Sequence, residues 1–165
     1  MAIFLWFLTD YSDNLILHLN IQKTKAIFKN AWPYQRDAMN LPVADVAASI
    51  PFYQSVFAFK LLSQEDTPVK SAVLGRDEIK IGIAENGGDP TQDGCFFEVD
   101  NAESAFAELK ANGLEKEISE FSKQKHGETN WKVFFVVAPD GLCYCLGEKQ
   151  AASVNGWYSW TIVDT

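Results

Sequence analysis

The sequence has few of the residues that most often bind transition metals. Its 165 residues include only two histidines, His18 and His126, and three cysteines. No C-x-x-C pair occurs, which argues against a zinc knuckle, and an odd cysteine number argues against a disulfide framework. Cys143 and Cys145 are two positions apart, which would place both on one face of a strand. We expect reduced, buried thiols, as in a cytoplasmic protein.

Long apolar runs and positive charge are also scarce. The opening run, MAIFLWFLTD, is too short to span a bilayer, and it lacks the basic region and cleavage site of a secretory signal. The chain has 14 Lys and Arg against 22 Asp and Glu, a formal net charge of -8. This balance argues against nonspecific binding to nucleic acid or anionic membranes. An acidic surface favours a cationic ligand, although solubility is the more common reason for one.

Methionine is limited to Met1 and Met39. Residues 1–38 fit any known pattern poorly, although Lys23 to Trp32 could form a short helix that ends before Pro33. A recognisable pattern starts at Met39. One explanation is that Met39 is the natural start and the first 38 residues are an upstream extension. The other is an extra element that packs on the domain or on a partner. We prefer the first, and we expect His18 to be a surface or packing residue.

A β-α-β-β-β unit follows at residues 39–85. A short strand from Asn40 to Ala44 leads to Asp45, whose side chain is suited to cap a helix from Val46 to about Val56. Apolar and polar residues alternate near the end of the unit, as in a half-buried strand. The three strands after the helix are predicted from Phe59 to Gln64, from Lys70 to Leu74 and from Glu78 to Ala84.

The same order of elements recurs in residues 94–148. Asn101 is the predicted cap of a second helix, from Ala102 to Asn112, which Gly113 ends. Placing Val43 on Val99 aligns the two units with an offset of roughly 56 residues, which indicates an internal duplication. The pattern predicts an α+β protein with one domain at residues 39–150. A tail, residues 151–165, follows it.

The second unit ends in a hairpin. Its strands are predicted from Lys132 to Ala138 and from Leu142 to Glu148, and Pro139-Asp140-Gly141 joins them as a turn. This hairpin, together with Leu41-Pro42-Val43-Ala44-Asp45 and Trp131, resembles the vicinal-oxygen-chelate superfamily. That superfamily contains glyoxalases, extradiol dioxygenases and bleomycin-resistance proteins. The resemblance implies that the two units form a cupped mixed sheet.

The resemblance also implies where a metal would bind. Enzymes of the superfamily use His or Gln on the first strand of each unit and Glu on the last, ligands that suit iron, manganese, nickel or zinc. The corresponding positions hold Ala38 and Gly94 on the first strands, Lys80 or Gly82 in unit one, and Cys145 in unit two. We therefore expect no metal, no other cofactor and no catalytic residue.

Without a metal, the resemblance points to the bleomycin-resistance branch, in which a homodimer sequesters a cationic glycopeptide in an acidic, aromatic groove at the subunit interface. Aromatic faces stack on heteroaromatic rings and attract cations. The expected ligand-binding residues are Trp131, at the position of the groove tryptophan, with Phe59, Phe96, Glu98, Phe134 and Cys145. For the phenylalanines the alternative is core packing. Glu98 faces either the cup or the solvent.

Two other functions stay open. One is a metal-dependent lyase or dioxygenase with atypical ligands. The other is an interaction or structural protein in which residues 1–38 or the Trp157-Tyr158-Ser159-Trp160 segment cover the groove. A catalytic role for His126 is not favoured, because it lies in a predicted loop with no nucleophile nearby. Cys143 and Cys145 lack an activating neighbour in the sequence.

Overall fold

Two β-α-β-β-β units follow one another in this computed structural model, which describes residues 25–115 and 121–151. The predictions for His18 and for the tryptophan-rich tail lie outside these ranges. The helices are α1 (Val46–Ser55) and α2 (Ala102–Ala111). The strands are β1 (Phe28–Pro33), β2 (Leu41–Pro42), β3 (Lys60–Glu65), β4 (Ser71–Arg76), β5 (Ile79–Ala84), β6 (Gly94–Val99), β7 (Ser122–His126), β8 (Thr129–Val137) and β9 (Cys143–Gln150).

Both helices begin at the predicted capping residues. The Asp45 side chain accepts a hydrogen bond from the Ala48 backbone N–H at 3.0 Å, and Asn101 accepts one from the Ser104 N–H at 2.7 Å. Each cap satisfies a backbone donor that the first helical turn leaves without a partner. Gly113, with φ of 104°, follows α2 in a conformation that favours glycine.

The two units have the same strand order. The four-stranded sheet is ordered β2-β5-β4-β3, and the larger sheet contains β6-β9-β8-β7. In each unit the first strand pairs in parallel with the last, β2 with β5 and β6 with β9. The duplication and the α+β fold are therefore confirmed, although β2 is shorter than the predicted strand from Asn40 to Ala44.

A strand upstream of Met39 completes the larger sheet. β1 pairs antiparallel with β6, with a bulge between Phe28 and Asn30, so the short helix predicted from Lys23 to Trp32 is wrong. Phe28 is fully buried, and Ala26 is 1% exposed. The folded unit thus begins before the predicted boundary at Met39. The duplication could not reveal β1, because the first unit has no strand equivalent to it.

The hairpin turn of unit two is tied to the helix of unit one. The Tyr53 hydroxyl in α1 donates to Asp140 Oδ2 at 2.8 Å and lies 2.9 Å from the Tyr144 hydroxyl in β9. Asp140 Oδ1 also accepts from the Leu142 N–H at 3.0 Å. Burial raises the pKa of both tyrosines well above the ordinary value. The Pro139-Asp140-Gly141 turn therefore joins the units as well as the strands.

Candidate functional site

Four aromatic or sulfur-containing side chains lie side by side across the larger sheet. The strand registers pair Trp32 with Phe96, Phe96 with Cys145, and Cys145 with Phe135. Residues paired across neighbouring strands project from the same face of a sheet. Adjacent residues project from the opposite face, where Phe134 of β8 packs on Phe106 of α2 with ring centroids 5.4 Å apart. The row thus occupies the face that α2 does not cover.

This face carries an open pocket of about 460 Å³. Its walls are mainly aromatic, and its lining residues are Trp32, Pro33, Tyr34, Phe96, Gln124, His126, Trp131, Phe135 and Cys145. The size and the apolar lining are typical of small-molecule sites. These lining residues belong to β1, β6, β7, β8 and β9 and to the residue that follows β1.

The aromatic rings of the pocket pack edge to face. The Trp131 and Phe96 centroids are 4.9 Å apart at an interplanar angle of 76°, and those of Trp131 and Trp32 are 6.3 Å apart at 75°. Aromatic quadrupoles favour this arrangement. Trp131 is 9% exposed, whereas Trp32 is 45% and Phe135 is 36% exposed. Trp131 therefore forms part of the pocket floor, and the other two rings leave faces open to solvent.

The structure brings together three of the residues expected from the sequence, namely Trp131, Phe96 and Cys145. Phe59 and Phe134 are instead core residues, each 3% exposed, so the packing alternative describes them. Phe134 lies one residue from Val133 and Phe135 on β8, and the strand alternation turns it towards α2.

Glu98 lies beside the pocket without lining it. It is two residues from Phe96 on β6, so both side chains project from the same face. One carboxylate oxygen accepts a hydrogen bond from Asn30 Nδ2 at 2.6 Å. The pocket therefore has a negative charge at its margin, held by a residue of β1, and an apolar interior.

Several lining residues were not anticipated. Trp32 and Tyr34 belong to the segment interpreted as an extension, where no motif marks a strand. His126, predicted in a loop, is the last residue of β7; its ring lies 6.2 Å from that of Phe96, and its Nε2 lies 3.1 Å from Gln124 Oε1. Phe135 could have been found from strand alternation, because it is four residues from Trp131 on β8.

Two groups that line the pocket, the Cys145 thiol and the Tyr34 hydroxyl, have raised pKa values. Burial, and next the proximity of Cys143, raise the pKa of the Cys145 thiol to about 12. Burial, and next the nearby cysteines of β9, raise the pKa of the Tyr34 hydroxyl strongly. A thiol of such high pKa is a poor nucleophile and a poor metal ligand. The predicted common face of Cys143 and Cys145 is confirmed by their position on β9, although Cys143 is only half-buried.

The residues at the superfamily's metal positions do not fit a metal. A Cβ added to Gly94 would overlap the Cys143 carbonyl oxygen, and one added to Gly82 would overlap the Met39 carbonyl oxygen. These two positions have no room for a side chain that could bind metal. Within residues 25–115 and 121–151, no three His, Cys, Asp or Glu side chains form a group that could hold a metal ion.

No helix in the described part of the chain is both long enough and apolar enough to cross a membrane.

Three solved structures have a similar fold. A protein from the mobile metagenome of V. Pseudocholerae matches with a TM-score of 0.55 and 19% identity, covering 71% of this chain and 95% of that protein. A bleomycin resistance determinant encoded on the transposon Tn5 matches with a TM-score of 0.52 and 18% identity, covering 71% of this chain and 99% of that protein. A bleomycin-binding protein complexed with bleomycin matches with a TM-score of 0.52 and 18% identity, covering 70% of this chain and 99% of that protein. At these identities the similarity shows the fold alone.

None of the curated proteins matches this chain in sequence. The family model for the Glyoxalase/Bleomycin resistance protein/Dioxygenase superfamily matches residues 35–142, which is more than half of the chain. The matched segment contains both helices and ends beyond the Pro139-Asp140-Gly141 turn. The chain therefore belongs to the glyoxalase/bleomycin resistance protein/dioxygenase superfamily.

Proposed function

We propose that this protein binds a small planar aromatic molecule, neutral or cationic, in the pocket above Trp131, without a metal. The observation that carries the proposal is the cluster of Trp32, Phe96 and Trp131 around an open cavity of about 460 Å³. Superfamily membership and a fold shared with a bleomycin-binding protein support it. An antibiotic-like compound is one ligand of this kind, and sequestering it would confer resistance.

The exposed ring faces favour a flat ligand. Trp32 and Phe135 each leave more than a third of their surface open to solvent, and an inserted ring would remove that surface from water. Each aromatic pair contributes about 0.5 to 1.5 kcal/mol beyond the area that it buries. A cation over a tryptophan face gains a similar amount.

The charge distribution favours a delocalised cation over a compact one. Among the described residues no carboxylate lines the pocket, so an ammonium group placed inside would lose its hydration without gaining an ion pair from them. Glu98 at the margin and the net charge of -8 attract cations at longer range. A ring that spreads its positive charge would keep the attraction and lose less hydration.

We propose further that the protein is a homodimer, formed at the β3 edge. Every residue of β3 is exposed, including Leu61 at 38% and Leu62 at 50%. Among the described strands β3 is the last of its sheet, and an edge strand that exposes apolar side chains is a common site for association.

Isothermal titration calorimetry with a planar acridinium cation, its uncharged analogue and a bleomycin-type glycopeptide tests the proposal. Phe135→Ala removes an exposed wall of the pocket, and we expect it to weaken binding about ten-fold. Val137→Ala is the matched control, because Val137 lies on the same strand and face, is 59% exposed and does not line the pocket. Equal affinities of the two variants, or no binding of any of the three compounds, would refute the proposal.

A further inference from the structure

A second hollow, of about 430 Å³, lies on the four-stranded sheet and is rich in basic side chains. Lys25, Lys60, Lys80 and Arg76 line it, and among its described lining residues Asp77 is the one carboxylate. None of these residues lines the aromatic pocket of the larger sheet. Because the chain as a whole has a formal net charge of -8, such a local concentration of positive charge indicates a site for an anion.

The one carboxylate of the hollow is already paired. Asp77 Oδ1 accepts a hydrogen bond from Lys25 Nζ at 3.1 Å, and Oδ2 accepts one from Arg76 Nε at 3.2 Å. Neither Lys60 nor Lys80 forms an ion pair with any residue that the structure describes. The charges of these two lysines are therefore available to a ligand.

Lys60 and Lys80 lie on either side of a glycine. The strand registers pair Lys60 of β3 with Gly75 of β4, and Gly75 with Lys80 of β5. Residues paired in this way project from the same face, and neighbouring strands are about 4.8 Å apart, so the two lysine backbones are about 10 Å apart. Gly75 places no side chain between them. Two flexible four-carbon stems at this spacing can bring their ammonium groups to one ligand group.

Leu62 gives the hollow an apolar side. A Cβ added to Gly75 would come too close to Leu62 Cδ1, so the leucine side chain lies over the glycine. Leu62 is 50% exposed, and an apolar ligand group placed against it would remove that surface from water. The hollow thus presents two ammonium groups beside an apolar contact.

Protection of a sheet edge does not account for both lysines. Lysine on an edge strand discourages unwanted pairing between sheets, and this explains Lys60, since β3 is the last described strand of its sheet. Lys80 is on β5, which lies between β2 and β4. It is exposed between the buried residues Ile79 and Ile81, so it projects from the open face of the sheet, where an edge has no part.

We propose that this hollow binds a small organic phosphate, with Lys60 and Lys80 donating to the phosphoryl oxygens and Leu62 contacting the apolar body. Two ammonium groups match the double negative charge of a phosphate monoester, whereas a carboxylate or a sulfate ester would neutralise only one of them. The volume is that of a small-molecule site.

This second site is independent of the proposals made above. It does not rest on ligand binding by the aromatic pocket, and its failure would leave that proposal unchanged. It does not require a dimer either. Strand pairing at the β3 edge would use backbone groups in the plane of the sheet, and the hollow opens from the face of the sheet.

Isothermal titration calorimetry of the full chain at pH 8 with butyl phosphate, butyl sulfate and inorganic phosphate tests the inference. Butyl sulfate has a similar shape and one negative charge, so we expect it to bind about ten-fold more weakly than butyl phosphate. Lys60→Gln and Lys80→Gln should each weaken binding of butyl phosphate about ten-fold. Lys123→Gln is the matched control and should leave the affinity unchanged, because Lys123 is also exposed, on the outer strand β7 of the larger sheet, and does not line the hollow.

Nuclear magnetic resonance locates the binding site. The Gly75 amide signal should shift saturably with butyl phosphate, and the Trp131 indole N–H signal should stay in place. The absence of saturable binding, a shift of Trp131 without one of Gly75, or equal affinities of the control and the Lys60 and Lys80 variants would overturn the inference. Equal affinity for butyl sulfate would overturn the assignment to a phosphate, and equal affinity for inorganic phosphate would overturn the contact with Leu62.

Discussion

Arg76 of β4 and Glu108 of α2 form a buried ion pair that joins the two units, with 2.8 Å between Nη2 and Oε2. The same guanidinium donates to the backbone carbonyl oxygens of Phe57 and Ala26, at 2.6 and 2.8 Å. Glu108 Oε2 also accepts from the Ala26 N–H at 3.0 Å. Arg76 Nε also donates to Asp77 Oδ2 at 3.2 Å. The guanidinium therefore connects both units and the residue that leads into β1.

Glu108→Ala should strongly destabilise the protein. It removes one of the two carboxylates that pair with Arg76 and leaves Asp77, 3.2 Å from Nε, as the other; breaking a buried pair costs up to about 3 to 5 kcal/mol. Arg76→Met/Glu108→Leu should lose less, because it removes both charges and keeps an apolar volume, and its remaining cost is the loss of the donor to the Phe57 and Ala26 carbonyl oxygens. Urea unfolding of the three proteins measures the difference. A free energy of unfolding for Glu108→Ala within about 0.5 kcal/mol of the wild-type value would contradict this account of the pair.

Phe28→Ala tests whether the chain upstream of Met39 is part of the fold. The ring is fully buried and contacts the rings of Phe59 and Phe97, so its removal should lower the free energy of unfolding by about 3 to 5 kcal/mol. Ile27→Ala is the control, since Ile27 is 47% exposed, and it should change stability by about 0.5 kcal/mol or less. Similar effects of the two substitutions, measured by urea unfolding, would place β1 outside the cooperative unit.

Stability should fall at alkaline pH. Burial raises the pKa of Cys95 and of Cys145 from 9.0 to about 12. Between these values the unfolded chain has released both protons and the folded chain retains them, so the free energy of unfolding decreases as pH rises from about 9 to about 12. Buried tyrosines act in the same direction.

The cysteine contribution can be isolated by substitution. Cys95→Ala/Cys145→Ala should show a shallower loss of stability than the wild type in urea unfolding at pH 8, 9.5 and 11. Parallel pH dependences of the two proteins would show that the thiols do not titrate differently in the folded and unfolded states.

The sequence predicted the elements that local chemistry determines. Asp45 and Asn101 cap the helices because their short side chains reach the backbone, and Pro139-Asp140-Gly141 turns because its backbone angles are preset. β1 escaped prediction because its pairing with β6 is long-range and begins with a bulge. No spacing within residues 28–33 reveals such a partner.

The site was predicted only where a position in the hairpin identified it. Trp131 was expected, and strand alternation then places Phe135 with it and Phe134 against α2. For Phe96 and Phe97 the alternation is equally regular, but only the register with β9 tells which of the two faces the pocket. Trp32 lies on β1, so its place in the pocket could not be predicted without that strand.

The most direct test of the central claim follows the Trp131 and Trp32 indole N–H signals while a planar acridinium cation is added to the full chain. We predict that both signals shift saturably, with the midpoint that calorimetry gives, and that Phe135→Ala moves the midpoint to about ten-fold higher ligand concentration. Heat of binding without any change in these two indole signals would place the ligand elsewhere and contradict the account.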